Sequence, residues 1–394
     1  MQAYICNTGI ISAIGTNTQE QLENLHKAKH GISMPTYLKT SHQLPVGEIK
    51  LDNEALKKLA DVDEDIPRTA LLSIIAAKEA WKPFKDLSDN LKIGLISSNT
   101  VGGMDITEHC YESIKAQSES FDYTKISNHE CGNITNLTAK YLGLNCFTAT
   151  ISTACSSSAN TIMLATKMIK SGQLDVCIVG GADSLSLFTL NGFNALMILD
   201  KELCQPFDQN RRGLNLGEGA AYLVLANEKA MKQWNVSSDI VVSGYANAND
   251  AHHQTASSPE GLGNQEAMLR ALSTAGLQPS DIDYINLHGT GTDNNDSSES
   301  KAITKVFPKV PLCSTTKGFT GHTLGAAGAI EAVFSYLSIK ENMAWGCLRI
   351  ANHLSDIPWQ PITKNTSSRI QHVLSNSFGF GGNCSSIILS KLEK

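Results

Sequence analysis

Short apolar runs rich in β-branched residues alternate along this chain with stretches whose apolar positions recur at helical spacing. Strands are predicted at residues 3–10, 92–97, 146–151, 175–179 and 221–225, with helices between them. A polar, charged stretch at 229–239 then intervenes. A second series follows at 240–245, 283–288, 310–315, 371–376 and 385–389. The pattern is that of an α/β protein, and a boundary near residue 237 divides it into 1–236 and 237–394. The halves share no repeat visible residue by residue, but their elements come in the same order, which predicts a duplicated unit. One junction stands out. The strand-like run from Cys146 to Ile151 stops, and from Ser156 a helix is predicted with Ile162, Ala165, Met168 and Ile169 on its apolar side, Lys167 and Lys170 in its last turns and Gly172 as its stop. Cys155 occupies the turn between them.

A thiol at the positive end of a helix is expected to have a lowered pKa and to act as a nucleophile. The alternative for a lone cysteine is a small buried hydrophobe. Ligands in open α/β sheets collect at the carboxyl ends of strands, and two further groups fall at such ends. His288 leaves the strand at 283–288 into Gly289-Thr290-Gly291-Thr292, where it is either a catalytic group or a residue capping a turn. Lys317 and His322 share the glycine-rich loop Lys317-Gly318-Phe319-Thr320-Gly321-His322, which opens a helix containing Glu331. Near the C-terminus, Asn376-Ser377-Phe378-Gly379-Phe380-Gly381-Gly382-Asn383 lacks the Lys-Ser/Thr of a phosphate loop and precedes a strand, so its glycines are read as presenting backbone N–H groups to a developing oxyanion.

Composition narrows the function classes. With 394 residues, 41% apolar, 18% charged and 30 glycines against 11 prolines, the chain has the makeup of a globular protein with many tight turns. A net charge of −6 argues against a nucleic-acid binder. No apolar run is long enough to span a membrane, and the first residues lack a secretory signal pattern, which predicts a cytoplasmic protein. Ten cysteines without a C-x-x-C pair predict neither a zinc site nor a disulfide framework. Cys177, Cys313 and Cys384 are read as core residues.

Thr153-Ala154-Cys155, His288-Gly289-Thr290-Gly291-Thr292, Lys317 with Thr320-Gly321-His322-Thr323-Leu324-Gly325, and Asn376-Ser377-Phe378-Gly379-Phe380-Gly381-Gly382 occur in this order, supported by Pro206-Phe207-Asp208 and Asp250-Ala251-His252-His253. In these motifs the chain resembles, nearly end to end, the β-ketoacyl-acyl-carrier-protein synthases of the thiolase superfamily. The resemblance implies a duplicated αβαβα layered sandwich with two mixed five-stranded sheets. It also implies decarboxylative condensation of an acyl thioester, held on Cys155, with a malonyl thioester. By the same resemblance, His288 and His322 would hydrogen-bond the malonyl thioester carbonyl, Lys317 would hold His322, and the amides of Cys155 and Phe380 would form the oxyanion hole. Thr290, Thr292, Val101, Phe378, Phe380 and His253 would contact substrate, with Val101 at the far end of the acyl pocket and Phe380 as its gate. Arg211 and Arg212 would dock an acidic acyl carrier protein. Asn286, Glu331, Ser375 and Asn376 would form a monovalent cation site. No other cofactor is expected, since the carrier brings its own phosphopantetheine. The expected assembly is a homodimer, or a heterodimer with a chain-length-factor homologue.

Gln205 stands where an arginine usually precedes Pro-Phe-Asp, Asp293-Asn294-Asn295 where Pro-Leu-Gly is common, and Asn383-Cys384 where Thr-Asn is usual. These departures bear on loop geometry, docking and substrate class. Two alternatives remain. A thiolase would need a second catalytic cysteine in a glycine-rich C-terminal motif, and a chain length factor would be a non-catalytic partner subunit.

Overall fold

The computed structural model describes residues 1–87, 89–116 and 122–393. Its strands are β1 (Tyr4–Ser12), β2 (Ile93–Ser98), β3 (Phe147–Ile151), β4 (Val176–Asp183), β5 (Gly219–Ala226), β6 (Ile240–Asn249), β7 (Tyr284–Asn286), β8 (Leu312–Ser314), β9 (Met343–Ala344), β10 (Thr366–Ser367), β11 (His372–Phe378) and β12 (Asn383–Lys391). Ten of them form one sheet in the order β3-β2-β4-β5-β1-β6-β12-β11-β7-β8, and β9 pairs with β10 apart from it. The two ends of this order mirror each other. β3, β2 and β4 run parallel and β5 and β1 antiparallel, while β8, β7 and β11 run parallel and β12 and β6 antiparallel. The expected pair of five-stranded sheets is therefore present as topology, but the Tyr4–Val241 bridge between β1 and β6 joins them into one hydrogen-bonded sheet.

Alternation along the strands sorts the core into layers. Cys177 and Val179 face the same cluster as Leu223, Leu225, Ile387 and Leu389, together with the helices Ser157–Lys170 and Ala327–Glu341. Those two helices thus lie between strands of both halves. The neighbouring positions Ile178, Tyr222 and Val224 face the helix Arg68–Trp81, and Ile388 faces the cluster that includes Met268 and Ile303 of the helices Leu262–Ala275 and Asp293–Val306. The resulting αβαβα stack brings both middle helices to the site at their N-terminal ends. Among the described residues, no helix is long and apolar enough to cross a membrane.

Candidate active site

Cys155 is placed by a strained turn. β3 ends at Ile151, Ala154 takes φ +53° in the left-handed region, and the helix begins at Ser157. Gly379 packs against this turn, where a Cβ would lie 3.1 Å from the amide nitrogen of Cys155 and 3.1 Å from the carbonyl of Thr153. A side chain at this position would press on the turn, so glycine eases the close approach of the loop after β11. The backbone amides of Phe380 and of Cys155 itself lie near enough to the Cys155 sulfur to favour its thiolate. These are the two amides expected to form the oxyanion hole.

His288 follows β7, and its backbone N–H donates to Glu299 Oε1 at 2.8 Å. The Nζ of Lys317 lies 3.2 Å from His288 Nδ1 and 2.6 Å from the His288 carbonyl, and it also meets the Glu331 carboxylate. An ammonium has no lone pair, so His288 Nδ1 must accept and its proton must sit on Nε2. His322 is fixed in the same tautomer by another partner, because the N–H of Leu324 donates to its Nδ1 at 3.0 Å. Here the structure corrects the expectation for Lys317, which holds His288 rather than His322. The two rings meet edge to face with centroids 5.5 Å apart.

Cys155, His288, His322 and Lys317 are all buried. Burial, reinforced by the Lys317 ammonium, keeps both imidazoles neutral: His288 titrates well below its ordinary value and His322 at about 3. Burial pushes the Cys155 thiol up to about 11, although the Phe380 amide and Lys317 pull it down. The lowered thiol pKa expected from the helix end is thus not what the closed site gives, because desolvation outweighs it. The Cys155 sulfur and a ring nitrogen of each histidine lie within 4.8 Å of one another, a spacing that a metal ion could bridge. Both Nδ1 atoms already accept hydrogen bonds, however, so a metal at Nε2 would require an imidazolate. The rings are arranged to donate protons in hydrogen bonds.

Two cavities meet at Cys155. One, of about 270 Å³, is lined by His288, Thr290, Thr292, His322, Phe378 and Arg212. The other, of about 400 Å³, is almost wholly apolar and includes Val101, Phe188, Gly192, Leu196 and Leu324. Cys155, Phe193 and Phe380 line both, and the two phenyl rings stack at 5.8 Å. Val101 lines the apolar cavity, and Phe380 lies at its junction with the polar one. His253 does not line either cavity. It is exposed and accepts from the Thr255 N–H, while Thr255, Ala256 and Ser257 face the polar cavity.

Arg211 needs correction as a docking residue. Its side chain is 4% exposed and is bound by Asp293, Ser297 and the Asp208 carbonyl, with Asp296 at 3.8 Å. Arg212 is 53% exposed at the cavity mouth, with Asp200 and Glu202 beside it. Of the four residues expected at a cation site, Asn286 and Glu331 carry the suggestive atoms: Asn286 Oδ1 and Glu331 Oε2 are buried and have no hydrogen-bond partner among the described residues. Oxygen donors of this kind suit a hard cation. The Nδ2 of Asn286 donates to Ser375, and Asn376 is engaged with Glu299 and Ser386. Cys384 is buried against Asn264 and lines neither cavity, so it does not supply a thiolase's second cysteine.

Several residues that shape the site escaped the sequence reading. Glu299 accepts from the N–H groups of both His288 and Gly289. Its signal was the pair Asp296 and Glu299, three apart just after the His-Gly-Thr-Gly-Thr turn. Asn383, one of the departures, accepts from Ser156, Asn160 and Asn247 and so ties the glycine loop to the nucleophile helix.

Comparison with known proteins gives this geometry its context. The beta-ketoacyl synthase N-terminal domain matches residues 5–230 and the C-terminal domain matches residues 240–350. The chain belongs to the beta-ketoacyl synthase family. The 3-oxoacyl-[acyl-carrier-protein] synthase 2 of Staphylococcus aureus strain N315 is 32% identical over 416 residues, covering 100% of this chain and 99% of the relative. Among solved structures, a ketosynthase in complex with its chain length factor from Xenorhabdus doucetiae aligns with a TM-score of 0.87 at 31% identity, over 99% of this chain and 98% of that one. The ishigamide ketosynthase/chain length factor aligns with a TM-score of 0.92 at 26% identity, over 100% and 99%. This β-ketoacyl synthase is thus a condensing acyltransferase of chain elongation with the thiolase-like fold.

Proposed function

We propose that this β-ketoacyl synthase moves an acyl group from an acyl carrier protein to Cys155 and condenses it with a malonyl carrier thioester, releasing CO2 and the lengthened β-ketoacyl carrier. One observation carries the reading: a single buried thiol has two distinct pairs of groups around it, the backbone amides of Cys155 and Phe380 and the rings of His288 and His322, each ring with a nitrogen within 4.8 Å. In the first half-reaction the Cys155 sulfur attacks the thioester carbonyl, whose oxygen gains negative charge over the two amides. The carrier thiol then leaves with a proton. The acyl chain enters the apolar cavity. In the second, the malonyl carbonyl oxygen accepts from the two imidazoles, so the electron pair left by departing CO2 is held as an enolate. The enolate carbon attacks the acyl-Cys155 carbonyl, and collapse of that intermediate expels the Cys155 thiolate, which takes up a proton from solvent to return to the thiol. Thr290 and Thr292 line the route of the pantetheine arm, and Arg212 meets the acidic carrier at its mouth.

The division at 236/237 belongs to the same proposal: the N-terminal half supplies the nucleophile and the C-terminal half supplies both histidines and the lysine. Asn286 and Glu331, with Ser375 and Asn376 beside them, would hold a monovalent cation that steadies the charges below His288. The exposed apolar side chains Phe188 and Leu196, which line the acyl cavity, and Met197, which lines the polar one, support a paired assembly, either homodimeric or with a chain-length-factor homologue. Ten free cysteines support a cytoplasmic setting. Mass spectrometry after incubation with an acyl carrier thioester tests the reading. An acyl adduct on Cys155, discharged by malonyl carrier protein as a β-ketoacyl product, is the expected result. A chain that stays unmodified is a non-catalytic chain length factor.

A further inference from the structure

We infer that Asp183 is a positioning residue that couples the acyl cavity to His322, so that the length of the bound acyl chain governs how well the enolate is held. The inference rests on the function proposed above and adds a determinant of its substrate range. Asp183 ends β4 and is fully buried, and no cation pairs with it among the described residues. A carboxylate buried in this way must be satisfied by other donors. One set comes from the cavity wall: Thr100 donates its N–H at 2.9 Å and its hydroxyl at 2.7 Å, and Val101 its N–H at 3.3 Å. The other is the N–H of Gly325, at 2.7 Å. Gly325 lies three residues beyond His322, and a Cβ there would stand 2.8 Å from the Asp183 carboxylate, so the loop reaches the acid only because this position is glycine.

Leu324 lies between the two. Its side chain lines the acyl cavity, its N–H sets the His322 tautomer, and its φ of +52° is strained for a residue with a branched side chain. An acyl chain long enough to touch Val101 and Leu324 therefore meets both arms of one clamp. Its pressure is transmitted through two residues to the ring that holds the enolate. A short chain leaves both arms alone. No other carboxylate among the described residues ties Thr100 and Val101 to the His322 loop.

The test uses the intact enzyme acylated at Cys155 with a series of short and long acyl groups. Acylation is followed by mass spectrometry, and condensation with malonyl carrier protein is followed in a single turnover. Wild type should show a condensation rate that depends on acyl length. Asp183→Asn keeps the shape but turns part of the acceptor into a donor. It should acylate within about twofold of wild type, condense about 10-fold more slowly with long chains, and lose most of the length dependence. Thr100→Val removes only the hydroxyl donor and should move the profile in the same direction by about threefold, which decides the matter if Asp183→Asn does not fold. A flat wild-type profile, an unchanged profile in both variants, or acylation that falls in step with condensation would reduce Asp183 to a structural knot. Wild type that is never acylated would instead overturn the proposed function itself.

Discussion

Replacing His322 by alanine separates two roles a histidine beside a nucleophilic cysteine can take. If His322 were the base that deprotonates Cys155, its Nε2 would be bare and its Nδ1 would carry the proton. The Leu324 N–H at 3.0 Å from Nδ1 rules out that tautomer in the resting site. His322 is therefore placed to donate, and in the proposed mechanism its loss removes one of two hydrogen bonds to the enolate while leaving the amides of Cys155 and Phe380 in place. Losing one oxyanion donor slows a reaction about 10²- to 10³-fold, or about 2.7–4 kcal/mol. CO2 release from malonyl carrier protein should fall by that factor, while acylation of Cys155 stays within about threefold of wild type. The variant also leaves the buried Leu324 N–H without an acceptor, which costs about 1–3 kcal/mol of stability, read as a lower denaturant midpoint. His322→Gln returns a side-chain N–H and should recover about tenfold in decarboxylation. Lowering the pH should not mimic the mutation, since wild-type His322 stays neutral down to about pH 3. Acylation that falls as far as decarboxylation would refute the argument, and a loss confined to acylation would make His322 the base.

Three further outcomes are expected. Because burial raises the Cys155 thiol to about 11, its thiolate fraction grows with pH well beyond the range of an ordinary cysteine, and its rate of alkylation by iodoacetamide should climb about tenfold per pH unit from 8 to 10; a plateau near 8.5 would show that the helix end prevails after all. Val101→Phe fills part of the apolar cavity, and if it displaces two methylenes at about 0.8 kcal/mol each, selectivity should move about 15-fold toward short acyl carriers, whereas a uniform loss at every length would place Val101 outside the chain's path. Arg212→Glu adds a third acid beside Asp200 and Glu202, and should raise the KM for carrier-bound substrate about tenfold and weaken its salt dependence without changing the rate with a free pantetheine thioester; equal effects on both substrates would remove Arg212 from the docking surface.

What the sequence revealed, and what it hid, follows from how far each signal reaches along the chain. The ten strands of the large sheet lie within a few residues of the apolar runs that predict them, because each run carries its own β-branched composition. The two-residue strands β9 and β10 carry no such pattern, and only the fold brings them together. Cys155, His288, Lys317 and His322 could be picked out because each sits in a turn of small residues at a strand end. Their partners could not. Lys317 meets His288 across 29 positions of sequence, and Asp183 reaches Gly325 across 142. Arg211 and Arg212 look alike in the chain, but one turns inward to Asp293 and Asp296 while its neighbour turns out. The thiol pKa is hidden for a related reason: a helix end is written locally in sequence, and the burial that raises the Cys155 thiol is not.

The corrected charges explain how one small site can serve two reactions. At rest it holds little net charge: a thiol, two neutral imidazoles, and an ammonium beside a carboxylate. Negative charge arises only when a thioester reacts, and it arises at two places in succession. A single set of donors aimed at both places would have to compromise on each. In the proposed mechanism the amides at the Cys155 turn face the acyl carbonyl, and the imidazoles face the malonyl carbonyl. The amide pair depends on Gly379 pressing against Cys155, whereas the imidazole pair depends on Lys317 and Leu324. Because these supports share no residue, damage to the imidazole pair should leave acylation running. An enzyme built on one shared hole would lose both activities together, and the His322 variants distinguish the two designs.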